Sequence, residues 1–281
     1  MRYLTIAGIH IHVSGFDYEY FDRRTAEYVS EKKDPDLTVS VELCEHISVP
    51  DTDVFVVNGY RHFCKTDNGY CLYDLYKGRC VAVVYADKDW KSVNACLADV
   101  KDIGGSDFDI RRFNLLGMAF RQRILRFGGI AYHSSTVCYK NKGIVFTAPS
   151  GTGKSTHTEL WTKYCEGAFV LNDDTPAIRI IDGKVVFFGT PWSGKTEINR
   201  NVSCEGAAIV FLQRGENKLK QVSGIDAYKM LIGGVMSLPV FEEDMNLVLS
   251  VLQEVSSIPT YVLYCDISRE AVETVRNEIF K

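Results

Sequence analysis

Two segments of the chain set closely spaced glycines beside a lysine and a hydroxyl residue. Residues 148–155 read Ala-Pro-Ser-Gly-Thr-Gly-Lys-Ser and residues 189–196 read Gly-Thr-Pro-Trp-Ser-Gly-Lys-Thr. The second satisfies the formula G-x-x-x-x-G-K-[ST] at every position; the first departs from it only at Ala148. Such a run suits phosphate. A short glycine-rich turn between a buried strand and a helix aims successive backbone N–H groups and the helix N-terminus at phosphate oxygens, and the lysine adds a point charge.

The elements needed around the turn separate the two candidates. Residues 148–155 follow the strand-like run Gly-Ile-Val-Phe-Thr and lead at once into an amphipathic helix carrying Leu160, Trp161 and Tyr164. Ala148 is a mild replacement, because a small residue still lets the backbone come close. This segment is therefore expected to hold the phosphates of ATP on Ser150, Gly151, Thr152, Gly153, Lys154, Ser155 and Thr156, with Lys154 on the terminal phosphates and Ser155 as a ligand of Mg2+. At 189–196 a strand also precedes, but Trp192 puts an indole where phosphate would lie, and residues 197–201 are too short for a comparable helix. The perfect match is expected to be a substrate-side loop, from which Lys195 and Arg200 could reach a charged group.

A triphosphate needs a metal, and the acidic partner usually stands at the end of a neighbouring buried strand. Residues 168–174, Ala-Phe-Val-Leu-Asn-Asp-Asp, have that form. Asp173 and Asp174 are the expected metal ligands and catalytic pair, one holding the metal and the other accepting a proton from an attacking hydroxyl. His133 lies on the strand-like run before the loop, a position that by itself more often holds a packed histidine than a catalytic one. His10 and His12 share a strand face but have no third ligand nearby in the sequence.

The loop 148–155 together with the downstream Asn-Asp-Asp resembles the catalytic domain of HPr kinase/phosphorylase, whose core is shared with the ATP-dependent phosphoenolpyruvate carboxykinases. The resemblance covers roughly residues 128–215. It implies an α/β fold of the HPr kinase/carboxykinase P-loop type, a catalytic role for His133, which stands in the place of that family's histidine, and roles in magnesium binding and proton transfer for Asp173 and Asp174. It also implies a serine on a protein or peptide as acceptor. The family's Glu-Ile-Arg-Gly and Gly-Arg-Asn segments do not occur here, so loop 189–196 is expected to contact substrate in their place. Two alternatives remain: a carboxykinase-like reaction on a small phosphorylated acid, against which the lack of a second metal-binding histidine-lysine set argues, and a non-catalytic ATP-sensing protein.

These residues must be positioned by the rest of the 281-residue chain, a length suited to one large domain or two smaller ones. Hydrophobic residues at 46% and charged ones at 24% describe an ordinary globular protein. A net charge of −4 gives no electrostatic reason for a nucleic-acid partner, and no segment has the roughly 18 apolar residues of a membrane helix. Nine cysteines, an odd count without a Cys-x-x-Cys pair, read as reduced thiols, and with the lack of a signal-peptide pattern they predict a cytoplasmic protein.

Residues 1–106 read as a β-rich module with strands at 3–13, 37–43, 54–57, 63–65, 70–76 and 81–85, an Asn-Gly turn at 66–69 and a helix at 89–100. This half could present the acceptor, bind a regulator or form a homo-oligomer interface. Residues 107–281 form the expected catalytic domain, beginning with a basic bridging helix at 108–127 that carries Arg111, Arg112, Arg121, Arg123 and Arg126. Strands follow at 130–139, 143–148, 168–171, 177–181, 184–189, 207–212 and 261–264, with helices at 155–164, 225–232, 241–255 and 268–280. Hairpins among them predict a mixed sheet.

Overall fold

A computed structural model of the chain describes residues 2–98, 107–236 and 239–281. The fold is mixed α/β. By their contacts the residues form two compact units, Met1–Arg126 with Pro239–Glu242, and Phe127–Leu238 with Glu243–Lys281. No helix among the described residues is long and apolar enough to cross a membrane.

The first unit is built on an eight-stranded sheet. Residues 3–13 form a hairpin of β1 (Arg2–Ile6) and β2 (Ile9–Ser14), turned at Ala7 and Gly8 with positive φ, where the sequence suggests one strand. β3 (Leu37–Cys44), β4 (Val54–Asn58), β5 (Arg61–Thr66), β6 (Gly69–Tyr76), β7 (Arg79–Asp87) and β8 (Ser92–Ala98) complete it in the order β1-β2-β3-β8-β7-β6-β5-β4. The Asn-Gly turn joins β5 to β6 with Thr66 opposite Gly69, as expected.

The helical reading of 89–100 fails. Residues 92–98 are β8, and residues 99 and 100 lie outside the described residues. Val93, Ala95 and Leu97 point inward at a period of two, while β8 pairs with β3 on one side and β7 on the other. Pairing on both sides outweighs the helix propensity of Ala and Leu. The short α1 (Glu19–Thr25) has no counterpart in the sequence reading.

The basic helix forms as α2 (Phe108–Arg123), capped by the Asp107 carboxylate on Asp109 N and closed by a 3₁₀ turn. It belongs to the first unit by its contacts, so the division falls after Arg126 and not at 106/107. The arginines explain why. Arg112 donates to Gly15 O at 3.3 Å, Arg123 to Asp36 O at 2.7 Å and Asp89 O at 2.9 Å, and Arg126 to Lys88 O at 2.9 Å. Charged donors thus satisfy loop carbonyls of the β-rich unit.

The second unit carries a nine-stranded sheet of β9 (Gly129–Ala131), β10 (Ser134–Tyr139), β11 (Lys142–Thr147), β12 (Phe169–Asp174), β13 (Ala177–Ile181), β14 (Lys184–Phe188), β15 (Ser203–Arg214), β16 (Lys218–Val222) and β17 (Thr260–Cys265). The path runs β12-β10-β11-β15-β14-β13-β9, and β17 joins β15 and β16. β11 and β17 are parallel to β15 and the other pairs are antiparallel, the mixed sheet expected. Helices α3 (Lys154–Tyr164), α4 (Gly224–Ile232), α5 (Glu242–Val255) and α6 (Arg269–Ile279) complete the chain. Trp161 of α3 and Val272 and Val275 of α6 bury against Ile144, Phe146 and Val210 of the central strands.

The strand read over 130–139 is broken at Tyr132-His133 into β9 and β10. Their partner is broken at the same level, because Thr175-Pro176 separates β12 from β13. Pairing nevertheless continues across the break: Ala131 faces Ala177, Tyr132 N donates to Pro176 O at 3.0 Å, and Ser134 faces Asp174. Pro176 has no N–H to give back, which fits the interruption of the ladder at this level. His133 therefore sits at a strand joint and not within a strand.

Candidate active site

The loop at 148–155 lies between β11 and α3, the placement that phosphate cradling requires. Gly151 and Gly153 have φ of +77° and +110°, and an added Cβ at either would meet nothing within 4 Å. Backbone conformation, not crowding, is what demands glycine at these positions. Gly153 is the N-cap of α3, whose first turn holds Lys154, Ser155 and Thr156, all partly exposed. Thr158 anchors the helix to the sheet, its hydroxyl 2.8 Å from that of Ser135 on β10, both buried.

Lys154 folds back over the loop. Its Nζ donates to Ala148 O at 2.9 Å and stands 3.2 Å from His133 Nε2. An ammonium group can only donate, so His133 accepts at Nε2 and carries its own proton on Nδ1. That nitrogen is 3.5 Å from Asp174 Oδ1, an ion-pair distance longer than a good hydrogen bond. Burial and the neighbouring Lys154 charge hold His133 below its ordinary pKa against the opposing pull of Asp174, so the ring is neutral near pH 7. Burial also lowers Lys154, opposed by Asp174 and Asp173.

Asp173 and Asp174 end β12, and their side chains alternate as strand geometry requires. Asp173 is 8% exposed, and its Oδ1 is shut off from solvent with no hydrogen-bond partner. Asp174 is half-buried and accepts from the Thr175 hydroxyl at 2.8 Å on Oδ2. The turn that presents them is set by Asn172, which the sequence reading passed over. Its Oδ1 accepts from Asp174 N at 3.0 Å and Thr175 N at 2.8 Å, and its Nδ2 donates to Thr190 O at 2.8 Å. The local signal was an Asn two residues before the bend in Asn-Asp-Asp-Thr-Pro, the spacing at which an Asn side chain caps backbone N–H groups.

Loop 189–196 carries no helix after it. Trp192 is 6% exposed, and the Ser193 side chain beside it is fully buried. The loop is fastened along β12: Thr175 N donates to Trp192 O at 3.1 Å, Asp173 N to Ile198 O at 3.1 Å, and Arg200 N to Leu171 O at 3.0 Å. An added Cβ on Gly189 would stand 1.9 Å from Arg200 O, so only glycine permits that crossing. Lys195 is exposed and bonded to none of these groups. Arg200 is exposed and lies over the Phe169 ring at 4.7 Å.

The structure thus brings Lys154, His133 and Asp174 into one line of contacts, sets Asp173 beside them on β12, and runs the second glycine loop along the same strand. Among the described residues no three His, Cys, Asp or Glu side chains cluster closely enough to hold a metal by themselves. His10 instead contacts the Thr5 hydroxyl at 3.1 Å, and His12 stacks on Tyr3.

Neither a protein-family model nor a curated protein sequence matches the chain. Among solved structures it is similar to the HPr(Ser) kinase/phosphatase from Coxiella burnetii, with 12% sequence identity and a TM-score of 0.33, over 53% of this chain and 95% of that chain.

Proposed function

We propose that the chain is an ATP-dependent phosphotransferase of the P-loop, HPr-kinase-like type that phosphorylates a serine hydroxyl on a protein or peptide. The observation that carries this reading is the line Lys154, His133, Asp174: a loop lysine at 3.2 Å from a histidine that is itself 3.5 Å from a strand-end carboxylate. The left-handed Gly151 and Gly153 and the open space around them support a phosphate cradle on Ser150–Thr156. Serine as acceptor rests on the sequence resemblance of residues 128–215.

The buried, unpartnered Oδ1 of Asp173 suits a cation, and Asp173 with Ser155 would hold Mg2+, the remaining ligands coming from phosphate oxygens and water. Bound there, the ion would neutralise charge on the terminal phosphates. In the transfer, the acceptor oxygen bonds to the terminal phosphorus, the bond to the bridging oxygen breaks, ADP leaves, and the acceptor proton passes to Asp174. Asp174 is favoured over Asp173 as the base because it is the more open of the two and faces loop 189–196. Lys154 would turn from Ala148 O toward the phosphates, with His133 positioning the phosphoryl group, and Lys195 would meet charge on the substrate side. The thiols are all free, in keeping with a cytoplasmic protein.

The test is transfer of label from γ-labelled ATP to proteins or peptides of the source cells. Labelling that depends on Mg2+ and is lost in both Lys154→Ala and Asp174→Asn is the expected result. Acceptors labelled equally by the variants would overturn the assignment, and ATP-dependent partner binding without labelling would favour a sensor.

A further inference from the structure

Helix α4 ends on a glycine pair, Gly233-Gly234. The chain closes tightly there: Gly233 N donates to Met230 O, Gly234 N to Leu231 O and Val235 N to Ile232 O, each at 3.1 Å. Leu231, fully buried, fixes this end of the helix. The chain then runs antiparallel beside β9, the last strand on its side of the sheet. Met236 N donates to Ala131 O at 2.9 Å, His133 N donates to Gly234 O at 2.7 Å, and Val235 pairs with Tyr132 between them. Residues 234–236 thus clasp the joint at which β9 stops and β10 begins.

Gly234 has no left-handed φ to demand glycine; crowding demands it. A Cβ built there would overlap Cζ and the hydroxyl oxygen of Tyr132 and stand 2.6 Å from its Cε1. Tyr132 has nowhere to go. Its side chain is fully buried, and its hydroxyl, shut off from solvent, has no partner among the described residues. A close-packed interior gives way little around such a ring. At Gly233 the same construction meets only Met230 O of its own turn, at 3.3 Å.

The strand ladder does little to hold His133, since Pro176 has no N–H to offer at this level. Its backbone is tied from elsewhere: the Thr147 hydroxyl donates to His133 O at 2.9 Å, and His133 N donates to Gly234 O. Its ring reaches Lys154 Nζ at 3.2 Å and Asp174 Oδ1 at 3.5 Å. We propose that residues 233–236 are the positioning segment of His133, with Gly234 the positioning residue in it. Lying flat against Tyr132, Gly234 brings its carbonyl to the His133 N–H and so keeps the ring between the loop lysine and the carboxylate. The catalytic sense of this clasp rests on the phosphotransferase reading above.

Hydrogen exchange and steady-state kinetics on the full chain test it together. In Gly234→Ala the His133 amide should exchange about tenfold faster or more, while Val137 and Ile144 in the core strands keep their protection. In the same variant kcat should fall by roughly 10- to 100-fold, with ATP affinity and KM for the acceptor within about twofold of wild type. Tyr132→Leu, which takes away the surface that backs the segment, should give the same two readings, and it serves if Gly234→Ala does not fold. The double variant, in which the added methyl meets the vacated space, should lie closer to wild type than either single one. Gly233→Ala should match wild type. A purely structural glycine would lower Tm and leave His133 exchange and kcat unmoved. Unchanged His133 exchange in both single variants, or faster exchange with kcat intact, would overturn the clasp alone. A wild-type chain that transfers no phosphate would overturn the proposed function and, with it, the catalytic sense of the clasp.

Discussion

Gly194 lies against Asp174. A Cβ built on Gly194 would stand 3.1 Å from the Asp174 Cβ and 3.3 Å from its carboxylate carbon, and the Gly194 backbone has φ of +61°. The second glycine loop therefore sets the place of the carboxylate that we assign as base. Gly194→Ala should displace that carboxylate and strain the loop by ~1–3 kcal/mol. With reacting groups sensitive to shifts on the order of 1 Å, kcat should fall by roughly 10- to 100-fold. ATP affinity, measured by calorimetry, should stay close to wild type. A variant with unchanged kcat would remove Gly194 from the site.

The two adjacent acids should separate. Asp173→Asn, altering the side chain whose Oδ1 is buried without a partner, should raise the Mg2+ concentration for half-maximal activity about tenfold or more. Asp174→Asn should leave that concentration unchanged and lower kcat by about 10²–10⁴. Metal titration of steady-state rates reads both. Two silent variants would refute the acidic-pair assignment.

The two lysines answer a similar question on opposite sides of the reaction. Removing charge-assisted bonds worth ~1.5–3 kcal/mol, Lys154→Ala should weaken ATP binding by roughly 10- to 100-fold. Lys154→Arg should not restore it, because a planar fork does not replace a compact ammonium. Lys195→Ala should leave ATP binding unaltered and raise KM for the acceptor. Equal losses of ATP affinity in Lys154→Ala and Lys195→Ala would reverse the distinction between the loops.

His157, in the first turns of α3, is buried, packs on Phe146 with ring centroids 4.6 Å apart, and accepts a long bond of 3.4 Å from Trp161 Nε1. Burial lowers its pKa from 6.5 to about 4. Between those values the unfolded chain binds a proton that the folded chain refuses, so stability falls as pH falls through this window. The loss approaches 1.4 kcal/mol per pH unit and ~3 kcal/mol in all. Denaturant unfolding from pH 7 to pH 4 should show that slope, and His157→Gln should flatten it. An unchanged slope in the variant would assign acid sensitivity elsewhere.

Much of this arrangement is legible in the residues themselves. Gly151, Gly153 and Lys154 between an apolar run and Leu160-Trp161 mark a strand, a turn and a helix, and Trp192 with no helix beyond it marks 189–196 as something else. These signals are local, set by backbone conformation and by period. What escapes is decided at a distance. Val93, Ala95 and Leu97 fit either a helix or a strand until β3 and β7 flank them. The break at His133 depends on Pro176, 43 positions later, standing opposite Tyr132. Gly194 gives no hint of Asp174, because their contact is made only after the chain has passed through β13 and β14.

The fastening of residues 198–200 along β12 has one further consequence. β12 is the last strand on its side of the sheet, and an open strand edge offers unpaired N–H and C=O groups to any extended chain nearby. Asp173 N and Leu171 O are taken by Ile198 O and Arg200 N, so the returning loop guards that edge against intermolecular pairing. Gly189, which admits the crossing, is thus a residue of solubility as well as of the site. Loosening this return would leave the very strand that carries Asp173 and Asp174 open to self-association.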